Sequence, residues 1–335
     1  MASHLVKMHI HPSILDLIGH TPVVQLKKIP INDIPEQVKI YAKLEFFNPS
    51  GSVKDRMAKY MIEYAEQEGL LEPGGVIVEN SSGNTGSALA MISAVKGYKC
   101  IITMPDKMSE EKKNMMRAFG AEVIVTPTEV PPDSEQSYYA RARQIAKDTP
   151  NSYYPNQYNN LKNIEAHYKT TGPEIWEQME GKIDILIAGV GTGGTLSGVG
   201  QFLKERNPKI KIIAVDPKGS VFYDYFKYKK IIQPHIYALE GIGEDCLVKA
   251  LDFSVIDDIL QVSDKDAFLM TRRLTREEGL FVGGSSGAAL TAALDYVKSE
   301  NIKGPTNILV ILPDSGNRYL SKIFNDSWMK EKGFF

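Results

Sequence analysis

Ile183-Asp184-Ile185-Leu186-Ile187-Ala188-Gly189-Val190-Gly191-Thr192-Gly193-Gly194-Thr195 is an apolar run that breaks into a glycine-rich loop. So short a run, ended by glycine, reads as a buried strand; the helical pattern over 196–205 and the apolar stretch 210–215 complete a strand-helix-strand unit. The same grammar recurs on either side. Gly75-Val76-Ile77-Val78-Glu79 runs into Ser81-Ser82-Gly83-Asn84-Thr85-Gly86 and a small-residue helix through Ile92. Cys100-Ile101-Ile102-Thr103-Met104 precedes Ser109, an N-cap residue with the charged first turn Glu110-Glu111-Lys112, and then the strand Glu122-Val123-Ile124-Val125. Ile308-Leu309-Val310-Ile311-Leu312 adds a buried strand near the end. Strands separated by helices must cross over and run parallel, which places the chain in the α/β class with helices covering a parallel sheet. One or both of residues 126–133, rich in Pro and acidic residues, and 148–157, rich in Pro, Asn and Tyr, mark the return to a second domain.

The 335 residues, 43% hydrophobic and 24% charged, are enough for two domains with a core each. A net charge of −2 gives no electrostatic footprint for nucleic acid or an anionic membrane surface, so the expected partner is a small molecule. Cys100 and Cys246 are too few for a disulfide framework and read as reduced and structural. The first twelve residues lack the apolar centre of a signal peptide, and no apolar run reaches the roughly 18 residues of a membrane span, so a cytoplasmic location is expected. His4, His9 and His11 read as a polar tail without Cys or acidic company, and no metal is expected there.

Three glycine-rich loops and one lysine carry the chemistry. In residues 189–195, glycines let backbone N–H groups approach an anion, the helix N-terminus adds partial positive charge, and Thr192 and Thr195 offer hydroxyls. Gly189, Gly191 and Gly194 also satisfy G-x-G-x-x-G, with Asp216 about 20 residues on, so a phosphate site, a dinucleotide site and a plain tight turn all remain open. Ser81, Ser82, Asn84 and Thr85 surround Gly83 with more hydroxyl and amide groups than one helix cap needs, a cradle suited to a carboxylate. Gly283-Gly284-Ser285-Ser286-Gly287 opens another helix, with Ser285 or Ser286 either an N-cap or a ligand hydroxyl. Lys54 closes Asn48-Pro49-Ser50-Gly51-Ser52-Val53 at a helix start. Alone it is one lysine among many; desolvated, its amine falls below the ordinary pKa of about 10.4 and can attack an aldehyde.

Together with Ile18-Gly19-His20-Thr21-Pro22, these motifs resemble, in order and spacing over nearly the whole chain, the fold type II pyridoxal-phosphate enzymes of the cysteine synthase and cystathionine β-synthase group. The stretches Gln157-Tyr158-Asn159, Ala166-His167-Tyr168-Lys169-Thr170-Thr171, Glu240-Gly241-Ile242-Gly243 and Trp328-Met329-Lys330-Glu331-Lys332-Gly333-Phe334 are most similar to the cystathionine β-synthase catalytic core.

The resemblance implies two three-layer αβα domains with mostly parallel twisted sheets: a small one over 47–156, nested in a large cofactor-binding one built from 1–46 and 157–335. It implies pyridoxal 5'-phosphate as cofactor, with Lys54 its Schiff-base lysine, Asn84 at its phenolic oxygen, Gly191, Thr192, Gly193, Gly194 and Thr195 at its phosphate, and Ser285 at its ring nitrogen. Ser81, Ser82, Thr85 and Gln157 would receive the substrate carboxylate, and Gly241, Ile242, Gly243 and Glu244 would border the substrate. Glu244 stands where cystathionine β-synthases usually carry tyrosine, and Ser81 replaces the more usual threonine. A neutral serine at the ring nitrogen restrains electron withdrawal and favours elimination over transamination. The implied activity is β-replacement, condensing serine or an activated serine with homocysteine to form cystathionine, with hydrogen sulfide released in side reactions on cysteine. Cysteine synthesis from sulfide and O-acetylserine is the alternative activity, and a non-catalytic, cofactor-bearing sensor or scaffold the alternative of another class. The implied partners are amino-acid and thiol substrates, and the implied assembly is a homodimer.

Overall fold

The computed structural model describes residues 10–29, 33–131 and 134–335; His4, His9 and part of the 126–133 segment lie outside the described residues. The chain runs β1 (Val23–Gln25), β2 (Val38–Leu44), α1 (Lys54–Gln67), β3 (Val76–Asn80), α2 (Asn84–Lys96), β4 (Lys99–Pro105), α3 (Glu110–Ala118), β5 (Glu122–Thr126), α4 (Tyr138–Asp148) and β6 (Ser152–Tyr153). It continues with α5 (Lys162–Lys169), α6 (Thr171–Gln178), β7 (Ile185–Gly189), α7 (Gly194–Arg206), β8 (Lys211–Pro217), α8 (Phe222–Tyr228), β9 (Asp258–Val262), α9 (Asp264–Glu278), α10 (Gly284–Ser299), β10 (Thr306–Leu312) and α11 (Asp326–Glu331).

The strands form two sheets, one in the order β1-β2-β10-β7-β8-β9 and one in the order β5-β4-β3-β6. All pairings are parallel except β1 with β2. Side chains of a strand alternate between faces, and β10 shows the consequence. Ile308, Val310 and Leu312 enter the core beneath α9 and α10, while Leu309 and Ile311 enter the core with Leu196, Val199 and Leu203 of α7. A strand buried on both faces needs the unbroken apolar run read there. A third core joins Ile77, Ile102 and Met104 of the smaller sheet to Ala58 and Ile62 of α1, Leu89 and Ile92 of α2, and Met116 of α3.

Helix boundaries shift where backbone geometry outranks side-chain pattern. α2 continues past Ile92 to Lys96 and stops at Gly97, whose φ of +78° ends the helix in the left-handed region. Ser109 occupies the N-cap position of α3 without bonding the helix backbone through its hydroxyl. Cys100 is buried, whereas Cys246 is exposed and is not a core residue.

Register brings the ends of the parallel strands level. β10 pairs β2 through Leu312 and Leu44, and β7 pairs β8 through Gly189 and Val215. The glycine loop after β7, Asp314 after β10 and the Asn48-to-Lys54 segment after β2 therefore meet at one edge, the usual ligand side of such a sheet. That segment is stitched to the end of β10: Val53 N donates to Pro313 O at 2.8 Å, and Arg318 Nη2 donates to Ser50 O at 2.6 Å.

Candidate active site

Lys54 is the first residue of α1, and a buried ion network fixes where that helix begins. Arg56 donates through Nε to Glu45 Oε2 at 2.7 Å and through Nη1 to Glu174 Oε2 at 2.9 Å; Lys43 pairs with the same Glu174. Lys43 and Glu45 are both 0% exposed, so each charge depends on its partners. Asp55 anchors the turn from the other side, accepting from Ser50 N at 2.7 Å and from the Ser50 hydroxyl. At the Lys54 amine, burial lowers the pKa, and the carboxylates of Asp314 and Glu244 push back toward the charged form.

The loop between β7 and α7 has its turn at Gly193, with φ +88°. A Cβ there would stand 2.5 Å from Leu251 Cα, so both conformation and space call for glycine. Asn163 Nδ2 donates to Thr192 Oγ1 at 3.0 Å and to Gln157 O at 2.9 Å, tying this loop to the second one. Thr195 Oγ1 lies 3.1 Å from His167 Nε2, and His167 Nδ1 lies 2.8 Å from Thr171 Oγ1. Burial, then the nearby Lys54 and Arg56 charges, hold His167 well below the usual histidine range, so it orients Thr195 as a neutral ring.

In the loop between β3 and α2, Ser81 Oγ accepts from Gly83 N at 3.1 Å and Gly86 N at 2.9 Å, and thereby organises the turn itself. Thr85 Oγ1 donates to Gln157 Oε1 at 2.6 Å. Gln157 is held in turn by Glu79, whose Oε2 accepts from Gln157 N at 3.2 Å. Asn84 Nδ2 donates to Asp314 Oδ2 at 2.8 Å, while Asn84 Oδ1 is buried without a partner.

The third loop departs from the capping expectation. The N-cap of α10 is Gly283, so neither Ser285 nor Ser286 caps it; both lie inside the first turn, and the Ser286 hydroxyl is buried without a partner. Gly283 N donates to Asp314 O at 3.1 Å, so this loop and the Asn84 loop share Asp314.

A cleft of about 640 Å³ joins these parts, lined by Lys54, Ser81, Ser82, Asn84, Thr85, Gln157, Gly191, Thr192, Gly241, Ile242, Gly243 and Glu244 among others. A smaller adjoining pocket, sharing Lys54 and Gly191, adds Gly193 and Thr195. Of the residues singled out in the sequence, Gly194 and Ser285 line neither space: Gly194 packs against the Asn163 side chain, and Ser285 is 3% exposed. Glu244 is half-buried; burial, then Asp245, push its carboxyl up to about 8 against the pull of Lys54. The dinucleotide reading of the glycine loop fails at Asp216, which is 0% exposed and accepts from Tyr223 N at 3.0 Å rather than facing the cleft.

Asp314, Asn163 and His167 were not singled out as site residues. Asp314 had a readable signal, a carboxylate placed directly after a buried strand; the other two act through contacts between α5 and α7 that no local pattern encodes.

Residues 14–314 match the family model described as pyridoxal-phosphate dependent enzyme, and the chain belongs to that family, whose cofactor is pyridoxal phosphate. Among its relatives, it is 49% identical over 97% of its length to a cystathionine beta-synthase of Apis mellifera and 45% identical over 97% to one of Rattus norvegicus. It spans 64% and 57% of those two proteins, less than two thirds of either. A hydrogen sulfide-producing enzyme of Fusobacterium nucleatum superposes with a TM-score of 0.84 at 40% identity, covering 93% of this chain and 98% of the other. An O-acetylserine dependent cystathionine beta-synthase of Helicobacter pylori superposes with a TM-score of 0.85 at 38% identity, covering 94% and 99%.

Proposed function

We propose that this protein catalyses β-replacement on an amino acid with pyridoxal phosphate, joining serine to homocysteine to give cystathionine and water. The observation that carries the reading is the desolvated Lys54 amine opening into a cleft that also holds an anion-accepting loop and a carboxylate-accepting loop.

The residues present fit the cofactor. Asn84 keeps a second amide N–H beyond the one given to Asp314, and its buried Oδ1 lacks a donor. Lys54 would hold the aldehyde, Asn84 the phenolic oxygen, and Gly191, Thr192, Gly193, Gly194 and Thr195 the phosphate; Ser285 is assigned to the ring nitrogen on the family pattern. When bound, pyridoxal phosphate supplies an electron sink that stabilises negative charge at the substrate Cα.

The protein's own groups do the rest. Ser82 and Thr85, on a turn organised by Ser81, together with Gln157 bonded to Thr85, hold the substrate carboxylate and so aim its Cα–H at Lys54. The neutral Lys54 amine takes that proton and later returns it. Between those events the Cβ–O bond of serine breaks, its oxygen leaving as water, and the thiol sulfur bonds to Cβ as its proton is released. Gly241, Ile242, Gly243 and Glu244 border the incoming sulfur. With cysteine as donor the departing group is hydrogen sulfide. O-acetylserine as donor, with acetate leaving, is the second reading, favoured by the likeness to the Helicobacter pylori structure.

We also take residues 47–156 as a small domain within a large one, and the working form as a cytoplasmic homodimer. No helix among the described residues is long and apolar enough to cross a membrane. The test mixes the holoenzyme with serine, O-acetylserine or cysteine against homocysteine, cysteine or sulfide, and identifies products by mass. Cystathionine from homocysteine is expected; product from sulfide alone would leave a cysteine synthase, and no product from any pair would overturn β-replacement.

A further inference from the structure

Away from the groups that act on the Lys54 amine, the cleft holds a second charged station. Lys112 of α3 and Lys322 after β10 both reach Glu240, the residue before the Gly241 turn, and all three line the cleft. Lys322 Nζ stands 2.6 Å from Glu240 Oε1, and Lys112 takes the other carboxylate oxygen. The Lys112 and Glu240 side chains are buried, only 3% and 10% exposed, while Lys322 is half-buried. Burial alone would raise the Glu240 carboxyl, but the two ammonium groups hold it below the usual range, so it is an anion. The Lys112 ammonium also stands 4.9 Å from the Tyr319 ring centroid.

Two ammonium groups share the carboxylate of Glu240. Glu111 is the further acid on which Lys322 acts, Lys332 pairs with Glu331, and Lys107 also lines the cleft. Lys112, Lys322 and Glu240 set charged donors and a charged acceptor side by side on the cleft wall. The complement of such a wall is a zwitterion, whose carboxylate meets the lysine ammonium groups and whose own ammonium meets Glu240.

Its location says which substrate this is. The carboxylates that act on Lys54 are Asp314 and Glu244, and the station is a different set of residues on the same cleft. Yet it is adjacent: the Lys112 side chain lies across Gly83, 2.8 Å from where a Cβ would stand, in the turn proposed to hold the donor's carboxylate. A second amino acid bound at the station therefore approaches the donor from the side.

Resting on the β-replacement reading, we propose that Lys112, Glu240 and Lys322 bind the α-carboxylate and α-amino groups of the thiol substrate, so that the cleft selects amino-acid thiols over sulfide and simple thiols. Sulfide and 2-mercaptoethanol have nothing to offer the station. 4-Mercaptobutanoate offers the carboxylate alone, and homocysteine offers both groups.

The experiment compares these thiols on the wild-type holoenzyme and on K322M and E240Q. In K322M the ratio of kcat/KM for homocysteine to that for 2-mercaptoethanol is expected to fall at least tenfold. Affinity for 4-mercaptobutanoate, measured by isothermal titration of the holoenzyme, is expected to fall similarly. In E240Q the loss is expected for homocysteine and not for 4-mercaptobutanoate. Equal losses for all thiols would mean that the cluster only latches the cleft shut, and unchanged ratios would mean that it does not touch the substrate; either overturns the inference. A wild-type enzyme inactive with every thiol would instead overturn the β-replacement reading.

Discussion

Lys54 is set by two opposed effects at one atom: loss of water favours its neutral amine, and the carboxylates of Asp314 and Glu244 favour its cation. Burial dominates, so the amine is available as base and nucleophile at lower pH than an ordinary lysine. Lys54→Ala is expected to reduce turnover by roughly 10³-fold or more and to release cofactor on dialysis, read from kinetics and from visible absorbance. Glu244→Gln removes one of the two carboxylates that raise the Lys54 pKa, so that pKa must fall further. Modification of Lys54 by an amine-directed reagent in the cofactor-free protein, followed against pH by mass spectrometry, is expected to show its midpoint displaced downward. An unchanged midpoint would mean that the Glu244 charge does not reach Lys54.

Among the elements, α1 and α7 do the positioning. α1 starts at Lys54, and two residues later Arg56 is clamped between Glu45 and Glu174 from other parts of the fold. Removing one member of a buried ion cluster strands the others, so Arg56→Met is expected to cost about 3–5 kcal/mol, measured by urea unfolding. α7 starts just after Gly193, which combines a left-handed φ of +88° with no room for a Cβ. Gly193→Ala is expected to weaken pyridoxal phosphate binding at least about tenfold, equivalent to roughly 1.4 kcal/mol, in titrations of the cofactor-free protein.

Across the whole molecule, buried carboxyls make stability depend on pH in two directions. Burial pushes Glu79 up to about 8, Asp216 to about 7 and Asp55 to about 6. In the pH range between the ordinary carboxylate value and these, the folded chain keeps protons that the unfolded chain has released, so stability falls as pH rises. For Glu45, Glu174 and Glu240, burial is outweighed by Arg56 and lysine partners; their folded values lie below the ordinary one, and stability falls as pH drops. Thermal unfolding is therefore expected to be most favourable to the fold at mildly acidic pH. Glu79→Gln should flatten the decline between about pH 5 and about pH 8 by up to roughly 1.4 kcal/mol per pH unit. A wild-type unfolding temperature that climbs steadily to pH 8 would contradict this balance.

Local grammar was enough for the parallel α/β class and the three loops, because short apolar runs, glycine turns and small-residue helix starts are written in consecutive residues, whereas Lys54 stood out only beside those loops and the family resemblance. The family resemblance, not local grammar, marks Glu244 as a departure from the pattern. What only the tertiary structure decided depends on residues far apart in the chain. Asp314 ties Asn84 to the third loop, His167 and Asn163 brace the glycine loop, Asp216 points into the interior, and Lys112, Glu240 and Lys322 meet across the cleft. The physical reason is that strand and helix propensities act over a few neighbours, whereas desolvation and ion pairing depend on which distant groups the packed sheets bring within about 4 Å.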